Sequence, residues 1–224
     1  MIHHPNLETI HKFSKGELNS PLSAMVAAHL ELCLDCANHY QSCLHSEVQI
    51  FTDQKVEMSS SEIDEAFDSL MAHMEDNNLE MESQSHQVNI SISGESFNLP
   101  SAFSFLKDKP IPWKEFGTKN AIAPISISPE GNFYLIYIGP GEKVPEHNHT
   151  HIEYSYVAAG SYQDGISQYQ TGDFSFTDKT HRHAPMATSD DGCLVISWVE
   201  GRLNYFKGIL SPLNSLLWWY LHRA

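Results

Sequence analysis

The chain has 224 residues, with 28 acidic and 13 basic side chains, a formal charge of −15, and 14 histidines beside only four cysteines. At 41% hydrophobic and 11% aromatic it can bury a real core in one large or two small domains, which excludes disordered and collagen-like chains. The acidic balance argues against direct nucleic-acid binding, which relies on Lys and Arg displacing counterions from phosphates.

The charge is unevenly placed. Residues 1–86 carry 15 acidic and 3 basic groups, a net of −12, whereas residues 87–224 carry 13 and 10, a net of −3. This asymmetry suggests two modules, the first suited to a basic protein partner, although a plain solvated helical face would carry the same charge. Residues 1–6 lack the basic and apolar regions of a signal peptide, and the apolar run 216–221 is too short to span a bilayer, so a cytoplasmic protein without a membrane anchor is expected. In that compartment Cys33, Cys36 and Cys43, all within eleven residues, suggest metal or redox chemistry before disulfides.

In chain order, Asn6 can cap a short helix through Phe13 that Gly16 closes. Ser20-Pro21 then supplies a cap and a first-turn proline ahead of Leu22, Met25, Val26, His29, Leu30 and Cys33, which repeat at helical spacing. A third helix is expected after Cys36. A fourth begins at Ser59, whose spacing to Glu62 fits a capping box. Its Ile63, Phe67, Leu70, Met71 and Met74 share one face, which serves either as core or as a partner-binding surface. Residues 77–87 are polar and read as a linker. Pro100, Pro110 and Pro112 interrupt the next stretch, so residues 87–112 are expected to be a linker and lead-in to a β domain at 113–224. There, β-rich runs at 133–138, 153–157, 173–177 and 194–199 alternate with turn signals, as in a sandwich or barrel.

Two constellations carry chemistry. His29, Cys33 and Cys36 have the form H-x3-C-x2-C, and on a helical projection Cys33 falls about 40° to one side of His29 and Cys36 about 20° to the other. The three can converge on one ion, and soft thiolates with imidazole suit tetrahedral zinc. The same spacing also makes an ordinary buried stripe. The second constellation runs from Gly141 through His147, His149 and Glu153 to Gly160 and satisfies G-x5-H-x-H-x3-E-x6-G, the first cupin motif, at every fixed position. Two histidines at i and i+2 share a strand face, and imidazole with carboxylate holds a divalent first-row metal. The second cupin motif, G-x5-P-x-G-x2-H-x3-N, is met only at Gly172 and His183; Asp178, Thr180 and Ala187 replace its proline, glycine and asparagine. His151 and His181 are read as supporting or surface groups.

Taken together, an early histidine, a helical H-x3-C-x2-C, an acidic helical first domain and a cupin resemble the ChrR family of zinc-binding anti-sigma factors over nearly the full chain. The resemblance implies a multidomain α + β protein: a small zinc-bound all-α domain at 1–86, then an antiparallel β cupin (jelly-roll) domain. It selects His4 rather than the adjacent His3 as the fourth ligand beside His29, Cys33 and Cys36, and implies a second divalent metal, Zn2+ before Fe or Mn, on His147, His149, Glu153 and His183. It further implies a non-enzymatic regulator that sequesters an extracytoplasmic-function sigma factor one-to-one and releases it on an oxidative signal, singlet oxygen in the best-known members. The candidate contact residues are Ile63, Phe67, Leu70 and Met74. The competing expectations are a metal-dependent, dioxygenase-like cupin enzyme and a plain metal-storage protein, the latter suggested by the 14 histidines.

Overall fold

A computed structural model describes residues 1–53, 59–76, 88–201, 203–204 and 213–215. The expected linker at 77–87 and the apolar run at 216–221 lie outside the described residues. Helices α1 (Leu7–Ser14), α2 (Ser20–Leu32), α3 (Leu34–Asp53) and α4 (Ser60–Asp76) come first. Asn6 caps α1 by accepting the Thr9 amide at 2.7 Å. The cap of α2 is Asn19, not Ser20 as the serine-proline pair suggested: its Oδ1 accepts the Leu22 amide at 2.9 Å, and Ser20 is already helical. The third helix also starts earlier than expected. Cys33 is extended (φ −112°, ψ 101°), so the chain breaks there and resumes as α3 at Leu34, with Cys36 in the first turn.

The stretch 88–106, expected as lead-in, holds a hairpin of β1 (Val88–Ile92) and β2 (Glu95–Leu99) and a 3-10 helix (Ser101–Leu106). Alternation explains it: Val88, Ile90 and Ile92 point inward while Asn89 and Ser91 point out. Then follow β3 (Lys114–Phe116), β4 (Asn120–Ile127), β5 (Asn132–Ile138), β6 (Asn148–His149), β7 (Glu153–Gln163), β8 (Gln168–Gln170), β9 (Phe174–Thr177), β10 (Met186–Ala187), β11 (Cys193–Val199) and β12 (Leu203–Asn204). The main sheet runs β10-β7-β11-β5-β4-β3, with β8 and β9 also on β7, all antiparallel. β11 flanks β7 from Glu153 to Gly160 and β9 its first four residues, while β8 and β10 flank its last residues, giving the expected cupin jelly roll.

Gly160, the last residue of the first cupin motif, shows why glycine is required there. Its φ is +76°, and an added Cβ would lie 2.1 Å from the Gly192 carbonyl oxygen.

One core joins the helices to the sheet. Leu22, Met25, Val26 and Ala28 of α2 pack with Ile90, Phe103 and Leu106 and with Tyr156, Leu194 and Ile196 of the barrel. Glu31 of α2 also caps the 3-10 helix, accepting the Ser101 and Ala102 amides at 3.1 and 2.9 Å. No helix among the described residues is long and apolar enough to cross a membrane.

Candidate metal centres

The first centre closes at the α2–α3 junction. His29, fully buried, projects from the last turn of α2; Cys33 ends that helix and Cys36 opens the next, both buried. His4, exposed, arrives on the N-terminal arm. Its Nδ1 lies 3.3 Å from His29 Nε2, 3.4 Å from Cys33 Sγ and 3.5 Å from Cys36 Sγ. A tetrahedral ion with metal–nitrogen bonds of about 2.05 Å and metal–sulfur bonds of about 2.3 Å would place nitrogen about 3.3 Å from nitrogen and about 3.6 Å from sulfur, so His4 is spaced for one.

His29 Nδ1 donates to the Gly172 carbonyl at 2.7 Å, which fixes the ring with Nε2 toward the cluster. Burial lowers the His29 pKa, keeping that nitrogen unprotonated at neutral pH. Burial and the neighbouring Cys33 push the Cys36 thiol up to about 12, a cost that a cation beside it would reverse. His3 points elsewhere: its Nε2 is 3.0 Å from the Gln168 carbonyl and its ring packs on Tyr169. Cys43 and His39 face each other at 3.8 Å on α3, outside the cluster.

The second centre lies inside the barrel mouth. His147 and His183 form an antiparallel bridge, exchanging amide–carbonyl bonds of 3.0 and 3.1 Å, and this sets their rings side by side. His183 Nε2 is 3.1 Å from both His147 Nε2 and His149 Nε2, while Glu153 Oε2 is 2.9 Å from His149 Nε2 and 3.7 Å from His183 Nε2. All four side chains are buried. Three imidazole nitrogens and a carboxylate oxygen converge here, a donor set that suits a divalent first-row ion.

Burial alone would lower the His149 pKa, but the charge and hydrogen bond of Glu153 raise it. Burial and the nearby His183 lower His147 to about 4, so it presents a lone pair at neutral pH. Burial alone would raise the Glu153 pKa, but the surrounding histidines, His149 first, hold it well below the carboxylate range. His147 Nδ1 donates to the Pro145 carbonyl at 2.9 Å.

The missing proline and glycine of the second cupin motif have a local substitute. Asp178 Oδ1 accepts the Thr180 amide at 2.8 Å, an Asx turn that delivers the chain to His183. His181, which contacts Asp178, and His151 are both exposed and outside the four-residue cluster. A small cavity of about 40 Å³ adjoins the centre, walled by Phe116, Ile122, Ile136, Val195 and the hydrogen-bonded pair Ser155–Ser197.

The partner-face residues form no such cluster. Ile63 and Phe67 on α4 are 53% and 59% exposed, and Met71 beside them is 41% exposed. The side chains of Leu70 and Met74 lie outside the described residues. Sequence reading also missed Asp173 and Thr177, buried groups that support the two centres: their partners are a distant backbone and a ligand carboxylate, and no local pattern marks either.

A helical His/Cys centre built onto a cupin with a three-histidine, one-glutamate centre defines a two-site protein whose barrel holds one site and supports the other. Residues 104–200 match the family described as ChrR cupin-like domain. Its sequence is 22% identical over 209 residues to the anti-sigma-E factor ChrR of Cereibacter sphaeroides, covering 91% of this chain and 92% of that one. Its fold matches ChrR in the crystal structure of Rhodobacter sphaeroides SigE with the anti-sigma ChrR, at a TM-score of 0.67 and 20% identity, over 88% of this chain and 98% of that one. An RmlC-like cupin from Ralstonia eutropha is more distant, at a TM-score of 0.40 and 18% identity, over 50% of this chain and 83% of that one.

Proposed function

We propose that the chain is a cytoplasmic anti-sigma factor that holds an extracytoplasmic-function sigma factor in a one-to-one complex through residues 1–86 and releases it on an oxidative signal of the singlet-oxygen type. The observation that carries the reading is the first centre: His4, His29, Cys33 and Cys36 converge at the α2–α3 junction of a chain that parallels an anti-sigma factor over nine-tenths of its length. Zinc would be held by those four residues, the second metal by His147, His149, Glu153 and His183. Bound zinc would tie the N-terminal arm to α2 and α3, so its loss should loosen the sigma-binding module.

The exposed face of α4 around Ile63 and Phe67, with Leu70 and Met74, is the proposed contact, as an amphipathic helix set in a groove of the partner. The −12 charge of residues 1–86 favours encounter with the basic nucleic-acid-binding surfaces of a sigma factor. The cupin is assigned the sensing role, and the protein acts as a regulator, not an enzyme.

The test uses the full chain and a purified sigma factor from the same organism. Metal analysis should find two ions per chain, and affinity capture should retain the sigma factor with zinc and lose it with chelator. The dioxygenase-like alternative instead predicts substrate-dependent oxygen uptake and no sigma complex.

A further inference from the structure

Strand β9 reaches one centre from each of its ends. At its start, the Asp173 carboxylate, 1% exposed, accepts the Ile2 and His3 amides at 3.0 and 3.3 Å through Oδ1 and the Gln170 amide at 3.0 Å through Oδ2. The Phe174 amide donates to the His3 carbonyl at 3.0 Å, so the arm is held on both sides one residue ahead of His4. Gly172 accepts the His29 ring at 2.7 Å. Gly172 holds a φ of +91°, a conformation that side-chain-bearing residues rarely adopt. At the other end, Thr177 Oγ1 donates to Glu153 Oε2 at 3.3 Å, and Thr177 is the register partner of Glu153 on β7.

We infer that β9, with the Gly172–Asp173 turn, couples the two centres, and that Asp173 and Thr177 are the positioning residues at its ends. A four-residue strand spans about 13 Å and, once paired, neither stretches nor slips without breaking its ladder. A shift of Glu153 is therefore passed along the strand to the arm bearing His4 and to the carbonyl that orients His29. The inference rests on both centres binding metal, and it gives the cupin a physical route to the helical site. Coupling of this kind is reciprocal: loading either centre tightens the other.

Cobalt(II) is the probe, because thiolate-to-cobalt absorption reports the His/Cys centre and not the barrel. Emptying the barrel with His183→Ala should weaken cobalt binding at the His/Cys centre at least fivefold. Asp173→Ala should weaken it about 10–100-fold, as loss of a group supporting a ligand does. With Thr177→Val, which keeps the side-chain shape, His183→Ala should have less than a twofold further effect. If Asp173→Ala does not fold, the Thr177→Val comparison carries the test. Cobalt affinity unchanged within twofold on emptying the barrel overturns this inference alone. Absence of cobalt at the His/Cys centre of the unaltered chain overturns it together with the zinc reading.

Discussion

Cys36 occupies the first turn of a helix whose N-terminus favours a thiolate, yet burial and Cys33 push its thiol up to about 12. Metal-free, the side chain is therefore protonated at neutral pH, and binding must expel that proton. The sign follows: affinity at the His/Cys centre should rise with pH, about tenfold per unit for each proton released, and fall on acidification. Chelator competition between pH 6 and 8 measures it, and a flat profile would contradict the assignment. Cys36→Ser should reduce bound metal from two ions to one per chain by elemental analysis, leaving the barrel centre filled. His4 was legible only through family resemblance, since His3 is its neighbour in the chain. What separates them is tertiary: the arm is pinned by Asp173 so that His3 turns toward Gln168 and His4 toward the thiols.

α4 shows most clearly how an amphipathic pattern can leave core and surface undecided. Periodicity marks Ile63 and Phe67 as one face, and both side chains are exposed. Phe67→Asp should leave helical content and metal stoichiometry unchanged while weakening sigma affinity at least tenfold by calorimetry; loss of helicity would make the stripe structural instead. The barrel strands behave oppositely. Ile196, fully buried at the centre of β11, should cost about 2–5 kcal/mol when truncated to alanine, read as a lowered urea midpoint of the metal-loaded protein. The β-rich runs, the Asn6 cap and the first cupin motif were readable because each depends on neighbours in sequence. The hairpin at 88–99 was obscured by nearby prolines, and the Asn19 cap by the serine that follows it.

At the scale of the molecule, the charge asymmetry sets the acidic helices apart from the barrel, but it conceals how closely the two are joined. The apolar face of α2 shares a core with the 3-10 helix and β11, and His29 of the His/Cys centre donates to the Gly172 carbonyl of the cupin. Cutting the chain near residue 86 would expose that face, so experiments on the sigma-binding half belong in the full chain. The −12 charge should also appear in kinetics: association with the sigma factor should slow about tenfold or more as ionic strength rises from 50 to 500 mM, with dissociation little changed. The central claim, metal-dependent sequestration, is tested most directly by transcription in vitro from a promoter served by the cognate sigma factor. Adding the zinc-loaded chain should abolish the transcript at one equivalent per sigma factor, and the metal-stripped chain should not. A transcript that persists with the zinc-loaded chain in excess would contradict the account.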